Sequence, residues 1–212
     1  MTLVKICGLK TPEDAHVAIQ AGADYLGCVF FPPSPRNVDA TTAAEVFDMI
    51  GDADVERVGL FVDPSDDELM AVLNHARLDV IQLHGKESPA RVEEVRQTFA
   101  LPVMKALAIE TKEDVIAAKA YDGVADLLLF DAKPPKGATR PGGNAIAFDW
   151  NLLKGTDWSV PWMLAGGLTV ANVKDAVAQS GAKAVDVSSG VEAEKGVKSP
   201  ELIQAFLDAV KE

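Results

Sequence analysis

Two side chains in this sequence are placed for proton transfer. Cys7 closes the apolar run LVKIC (3–7) directly before Gly8, and Asp131 follows the run ADLLLF (125–130). A buried cysteine is ordinarily a small hydrophobe, but a thiol at a strand end that opens into a pocket is a base or a nucleophile. A carboxyl that ends a run of leucines is poor core filling. It serves either as a general acid, or as an Asx turn opening the loop that follows. Lys5 precedes Cys7 by two residues and shares its face at the strand period of two. A charge on that face is costly unless used or paired, and it offers the positive field that a thiolate needs. The same period sets Gln82 with His84 and Asp186 with Ser188. Lys5, Gln82, His84 and Asp186 are thus candidates for contact with a bound molecule.

Anion-binding groups are also present. Arg36 lies in FFPPSPRNV (30–38), where proline limits the loop's freedom. It suits a bidentate grip on a carboxylate, with a solvated surface arginine as the alternative. AGGLT (165–169) and VSSGVE (187–192) bring glycine to two strand ends that run toward helices. Exposed backbone N–H groups at Gly166, Gly167, Ser188, Ser189 and Gly190 would cradle a phosphate; simple tight turns are the alternative. No metal is expected. The three histidines are scattered, and neither they nor the two cysteines show ligand spacing.

Strands must carry these groups to one place. Strand patterns fall at 3–7, 24–30, 56–62, 79–84, 102–107, 125–130, 162–165 and 184–188. Helical patterns fall at 12–21, 40–51, 65–75, 88–99, 111–120, 169–180 and 199–210, with a short one at 148–153. Thr11-Pro12 and Ser199-Pro200 read as N-caps with proline at N1, and Gly22 and Gly181 as C-caps. Eight βα units predict a single (β/α)8 TIM barrel over residues 1–212. An open doubly wound sheet would call for a glycine-rich first loop, which is missing. Barrel chemistry gathers at the C-terminal strand ends, and the loops after strands seven and eight are the usual phosphate grip. The connection at 131–147, rich in Gly and Pro, reads as a loop that closes a site or moves.

Composition bounds the partners. With 20 Lys and Arg against 32 Asp and Glu, net charge is −12, which argues against nucleic acid. An anionic ligand would then require a locally positive pocket. The two cysteines, Cys7 and Cys28, are expected as reduced thiols of a cytoplasmic protein. MTLVKICG lacks the pattern of a secretion signal, and no apolar run is long enough to cross a bilayer. A monomer is the default expectation, with a homodimer open.

KICGL (5–9), FFPPSPR (30–36), GLFVD (59–63), QLHG (82–85), LLFDAK (128–133), GGNAIAFDW (142–150), LAGGLT (164–169) and DVSSGVE (186–192) together resemble the phosphoribosylanthranilate isomerases of tryptophan biosynthesis. The resemblance spans essentially the whole chain. It implies a barrel enzyme without a cofactor that acts on an anionic phosphosugar–anthranilate by an Amadori rearrangement. It also implies Cys7 as general base, Asp131 as general acid, Arg36 on the anthranilate carboxylate, and the two glycine-rich ends on phosphate. One departure is visible: Ala145 stands where the family often has glycine. Other phosphate-gripping barrels (sugar-phosphate epimerases, thiamine-phosphate synthases) and a non-catalytic metabolite-binding barrel are the alternatives.

Overall fold

The computed structural model describes residues 2–135, 137, 141–143 and 147–211, so Ala145 lies outside the described residues. Eight parallel strands close into a barrel in sequence order: β1 (Leu3–Cys7), β2 (Tyr25–Phe30), β3 (Glu56–Phe61), β4 (Val80–Leu83), β5 (Val103–Ile109), β6 (Leu127–Ala132), β7 (Trp162–Leu164) and β8 (Ala184–Val187). Pairing of β1 with β8 completes the ring and sets Lys5 opposite Asp186. Outside the ring lie α1 (Pro12–Gln20), α2 (Ala40–Asp48), α3 (Asp66–Leu73), α4 (Pro89–Phe99), α5 (Lys112–Ala118), α6 (Val173–Ser180) and α7 (Pro200–Lys211). In place of a helix between β6 and β7 there is a 3-10 turn, Trp150–Leu153.

The strand period sorts the core. Ile6, Leu26, Ile81, Leu83, Leu128, Phe130 and Val185 point outward and pack against buried helix residues such as Ala15, Phe47, Val92 and Phe206. Val58, Val80, Met104, Leu129 and Met163 fill the interior, with the small Ala106, Ala165 and Ala184 between them. Cys7, Val29 and Leu60 lie in a separate cluster with Phe31 and Val62, residues near or beyond the strand ends. Side-chain caps start the helices. Thr11 accepts from the Asp14 N–H, and Ser65 and Glu68 cap each other reciprocally. Each such cap contributes about 1 kcal/mol.

Several boundaries differ from the sequence pattern. Strand β6 runs through Ala132, paired with Ile109, so Asp131 belongs to the strand rather than to the loop after it. Extension of β5 to Ile109 supplies the hydrogen-bonding partner. Helix α6 begins at Val173, not 169, because Asn172 accepts the Thr169 N–H and donates to the Gly167 carbonyl. This holds the intervening residues in turns. Gly22 follows the C-cap Ala21, whereas Gly181 is itself the left-handed C-cap. A small hairpin, β9 (Glu192–Glu194) with β10 (Val197–Lys198), follows β8 and had no signature in the sequence.

Candidate active site

Cys7 sits at the end of β1, 4% exposed, and lines a cavity shared with Arg36, His84, Asp131, Asp186 and Ser188. Beneath it, Lys5 is completely buried and donates to Asp186 Oδ1 at 2.7 Å. Burial alone would lower Lys5, but the charges of Asp186 and Cys7 outweigh it and hold the ammonium above its ordinary range. Burial pushes the Cys7 thiol up; Lys5 pulls it back, Asp186 adds to the rise, and the net direction is upward. The positive field anticipated from Lys5 is thus present but does not win, because the cost of burying a thiolate exceeds it and Asp186 offsets part of it. Nor does Lys5 line the cavity. It shares the Cys7 face one layer deeper, as the strand period requires, and supports the site from below. Cys7 and Cys28 are unbridged.

Across the mouth, Asp131 Oδ1 accepts the Ala132 N–H at 2.8 Å, and Oδ2 lies 3.3 Å from His84 Nε2. The other ring nitrogen, Nδ1, is 3.3 Å from the amide Nε2 of Gln82. Gln82, like Lys5, is fully buried below the cavity and reaches it only through His84. Gly142 lies on top. A Cβ there would stand 2.5 Å from Asp131 Oδ2 and 2.7 Å from His84 Cε1, so only glycine lets the chain approach this closely. The described segment Pro141–Gly143 therefore lies against the carboxyl and lines the cavity.

Arg36 is 4% exposed rather than solvated. Its Nε and Nη2 donate to Glu192 Oε1 and Oε2 at 2.6 and 2.9 Å, so that edge of the fork is taken by the protein. The Nη1 side faces Gly143 at the cavity. Lys198 Nζ completes the group, donating to Glu192 Oε1 at 3.1 Å and to the Ser188 carbonyl at 2.9 Å. Burial would raise the Glu192 carboxyl, but the Arg36 hydrogen bonds and the Lys198 charge hold it below its ordinary value. Burial likewise lowers Lys198 against the pull of Glu192. Lys5 with Asp186 sums to zero charge, and Arg36, Glu192 and Lys198 sum to one positive charge. A chain of net charge −12 thus keeps a positive spot beside Cys7. Among the described residues no cluster of three or more His, Cys, Asp or Glu is arranged to hold a metal ion.

A second cavity adjoins the first and is bounded by Gly166, Gly167, Ser188, Ser189, Asp131 and Gly143. The N–H groups of Gly166 and Gly167 meet no acceptor among the described residues. Gly190 abuts the facing loop; a Cβ on it would lie 1.9 Å from the Leu168 carbonyl oxygen. The loops after β7 and β8 are therefore interlocked around the cradle. No α-helix starts at either strand end, because α6 begins later and β8 leads into a 3-10 turn, Ser189–Val191. The cradle rests on loop amides rather than on helix N-termini.

Lys105, Glu87, Glu192 and Lys198 also belong to this network, and the sequence motifs alone do not mark them. A lysine inside the apolar run PVMKAL (102–107) was a legible signal, for the reason that applied to Lys5. Lys105 Nζ donates to Glu87 Oε2 at 2.8 Å and to the Gly85 carbonyl at 2.9 Å. Glu87 in turn accepts the N–H groups of Asp63 and Gly85. The network pins the end of β4, from which His84 projects.

Comparison with known proteins agrees with this geometry. The family model described as N-(5'-phosphoribosyl)anthranilate (PRA) isomerase matches residues 4–209. The N-(5'-phosphoribosyl)anthranilate isomerase of Paramagnetospirillum magneticum is 57% identical, the match covering 98% of this chain and 96% of that protein. That of Rhodospirillum rubrum is 54% identical, covering 100% and 98%. Among solved structures, phosphoribosyl anthranilate isomerase from Thermotoga maritima superposes with a TM-score of 0.88 at 33% identity, covering 100% of this chain and 99% of that one. A phosphoribosyl anthranilate isomerase in complex with reduced 1-(o-carboxyphenylamino)-1-deoxyribulose 5-phosphate gives 0.83 at 30% identity, with coverage of 100% and 99%. The chain belongs to the N-(5'-phosphoribosyl)anthranilate isomerase family.

Proposed function

We propose that this chain is a single catalytic barrel that converts N-(5'-phosphoribosyl)anthranilate to 1-(2-carboxyphenylamino)-1-deoxyribulose 5-phosphate. The observation that carries the residue roles is the shared cavity: Cys7 from β1 and Asp131 from β6 both line it, and it adjoins the glycine cradle. The phosphate is held by the amides of Gly166 and Gly167 with Ser188, Ser189 and Gly190. The anthranilate carboxylate meets the Nη1 side of Arg36, whose other edge Glu192 keeps fixed. Lys5 acts from below on Cys7 itself and on Asp186, and Gln82 acts through His84.

Asp131, carrying a proton, donates it to the ribose ring oxygen as the C1–O bond breaks. The aniline nitrogen lone pair drives this opening and leaves an iminium ion, whose charge acidifies the C2 hydrogen. Cys7 thiolate removes that proton, and the resulting enolamine tautomerises to the ketone. Burial disfavours the thiolate. The iminium supplies the missing positive charge at the moment a base is required, and Lys5 and Lys198 add to it. An acid and a base each contribute about 10²- to 10⁴-fold.

The test is a fluorescence assay in which a separate transferase makes the unstable substrate from anthranilate and phosphoribosyl pyrophosphate. Turnover that continues in chelator is the expected result. Binding of the substrate without turnover would leave a metabolite-binding barrel instead.

A further inference from the structure

Arg36 is held along its whole length. Its stem lies on Gly8, the residue after Cys7: a Cβ at Gly8 would stand 2.5 Å from Arg36 Cδ. Its head is held by Glu192, whose side chain is 4% exposed and lines neither cavity. Glu192 Oε1 accepts from Arg36 Nε at 2.6 Å and from Lys198 Nζ at 3.1 Å. Oε2 accepts from Arg36 Nη2 at 2.9 Å and from the Gly196 N–H at 3.0 Å. Gly196 also sits against the Arg36 loop, where a Cβ would lie 2.8 Å from the Pro35 carbonyl oxygen. The hairpin β9–β10 thus carries a socket for one edge of the guanidinium.

A guanidinium has five N–H groups in a fixed fork. Glu192 takes one from Nε and one from Nη2. The Nη1–Nη2 edge keeps the rest, with no acceptor among the described residues, and a parallel pair on that edge can grip a second carboxylate. Gly143 leaves room there, since a Cβ on it would stand 2.7 Å from Nη1. The free edge is therefore fixed close to the end of the Cys7 strand. In the reaction Cys7 acts at sugar C2, beside the C1 that bears the aniline nitrogen. The ring position nearest that nitrogen is the ortho carbon.

We infer that Glu192 is a positioning residue that aims the free edge of Arg36 at the ortho position of the aryl ring, and so sets selectivity for ortho-carboxylated arylamines. This rests on the proposed meeting of Arg36 with the substrate carboxylate. Two plainer roles predict different behaviour. If Glu192 only neutralised Arg36 and Lys198, its loss would leave a more positive pocket that favours every anionic substrate alike. If it only held the hairpin together, its loss would lower turnover of all substrates together.

The test compares two substrates of equal charge, the N-(5'-phosphoribosyl) derivatives of anthranilate and of 4-aminobenzoate. Both form from ribose 5-phosphate and the arylamine without an enzyme, and the ketose products are resolved by chromatography. The wild type should favour the ortho isomer in kcat/KM. Glu192→Gln keeps the size but sets an amide N–H against the donors of Arg36 and Gly196. It should shrink that preference about 10-fold, chiefly through KM of the ortho isomer. Glu192→Asp keeps the charge but withdraws the carboxylate by one methylene, and should shrink the preference too. In an Arg36→Lys background neither change should shrink it further. An unchanged preference in Glu192→Gln, or full preference in Glu192→Asp, would overturn the inference. Where a variant does not fold, nitrogen-15 NMR of the wild type decides. The Arg36 Nε–H, assigned by its loss in Arg36→Lys, should be protected from exchange with water, and rapid exchange would overturn the inference. Arg36→Lys separates the levels. If it leaves the ortho preference intact, the assignment of Arg36 fails and the inference with it; if it abolishes the preference while Glu192→Gln does not, only the role of Glu192 fails.

Discussion

Replacing Lys105 with methionine removes one charge from a pair whose side chains are each 2% exposed and whose atoms are 2.8 Å apart. At an effective dielectric near 20, the attraction at that distance is about 6 kcal/mol before the cost of desolvating both partners. Removing one member of a buried pair typically costs about 3–5 kcal/mol, since the other is left charged and unpaired. Glu87 keeps its bonds from the Asp63 and Gly85 N–H groups, which places Lys105→Met at the lower end, about 3 kcal/mol. That is roughly a hundredfold in the folding equilibrium. Urea unfolding followed by fluorescence of the three tryptophans reads it directly. Glu87→Gln in the same chain neutralises the stranded charge while its amide oxygen still accepts those N–H groups, and should restore about 1–2 kcal/mol. A single-variant loss below about 1 kcal/mol, or a double variant no more stable than the single, would refute this account of the pair. Because the pair pins the end of β4, kcat of Lys105→Met should fall as well, through misplacement of His84.

Cys7→Ser and Asp131→Asn should each lower kcat by about 10²- to 10⁴-fold with little change in KM, measured in the coupled assay; a variant that keeps wild-type kcat is removed from the mechanism. Arg36→Lys loses the fork and should raise KM about 10- to 100-fold, while an effect confined to kcat would place Arg36 in the transition state. Gly142→Ala puts a methyl group 2.5 Å from Asp131 Oδ2 and should reduce kcat without lowering the unfolding midpoint in urea; unchanged kcat would mean that the loop does not close on the carboxyl. The folded state holds the Cys7 proton more tightly than the unfolded chain, whose thiol titrates at 9.0, so its contribution to stability is complete below that pH and is lost as pH rises through the folded value. Cys7→Ser should flatten part of the alkaline decline in unfolding free energy, and an unchanged slope would refute the upward shift.

Much of the site was legible from residue type and period. Cys7, Asp131 and His84 are polar or reactive groups at the ends of apolar runs, where a plain core has no use for them, Arg36 stands in a proline-stiffened loop, and the structure brings all four to one cavity. Lys5 and Gln82 were recognisable as anomalies in buried strands, but their depth was not. The period of two assigns a face, and only barrel closure sets which layer along that face meets the cavity. Lys105 carried the same signal as Lys5, because a lysine in a buried strand always requires a partner.

Sequence by itself determined the repeated strand–helix order, the faces of the strands, most helix starts and the identity of the reactive groups, since these follow from local periodicity and capping chemistry within a few residues. Tertiary structure alone decided the partners and the protonation balance. Glu192 lies far from Arg36 in the chain, Glu87 from Lys105, and Asp186 from Lys5, yet these pairings set the charge beside Cys7 and fix the end of β4. Burial then turned the Cys7 thiol upward despite an adjacent lysine. Desolvation and ion pairing depend on what surrounds a group in three dimensions, and no spacing along the chain specifies that until the barrel closes.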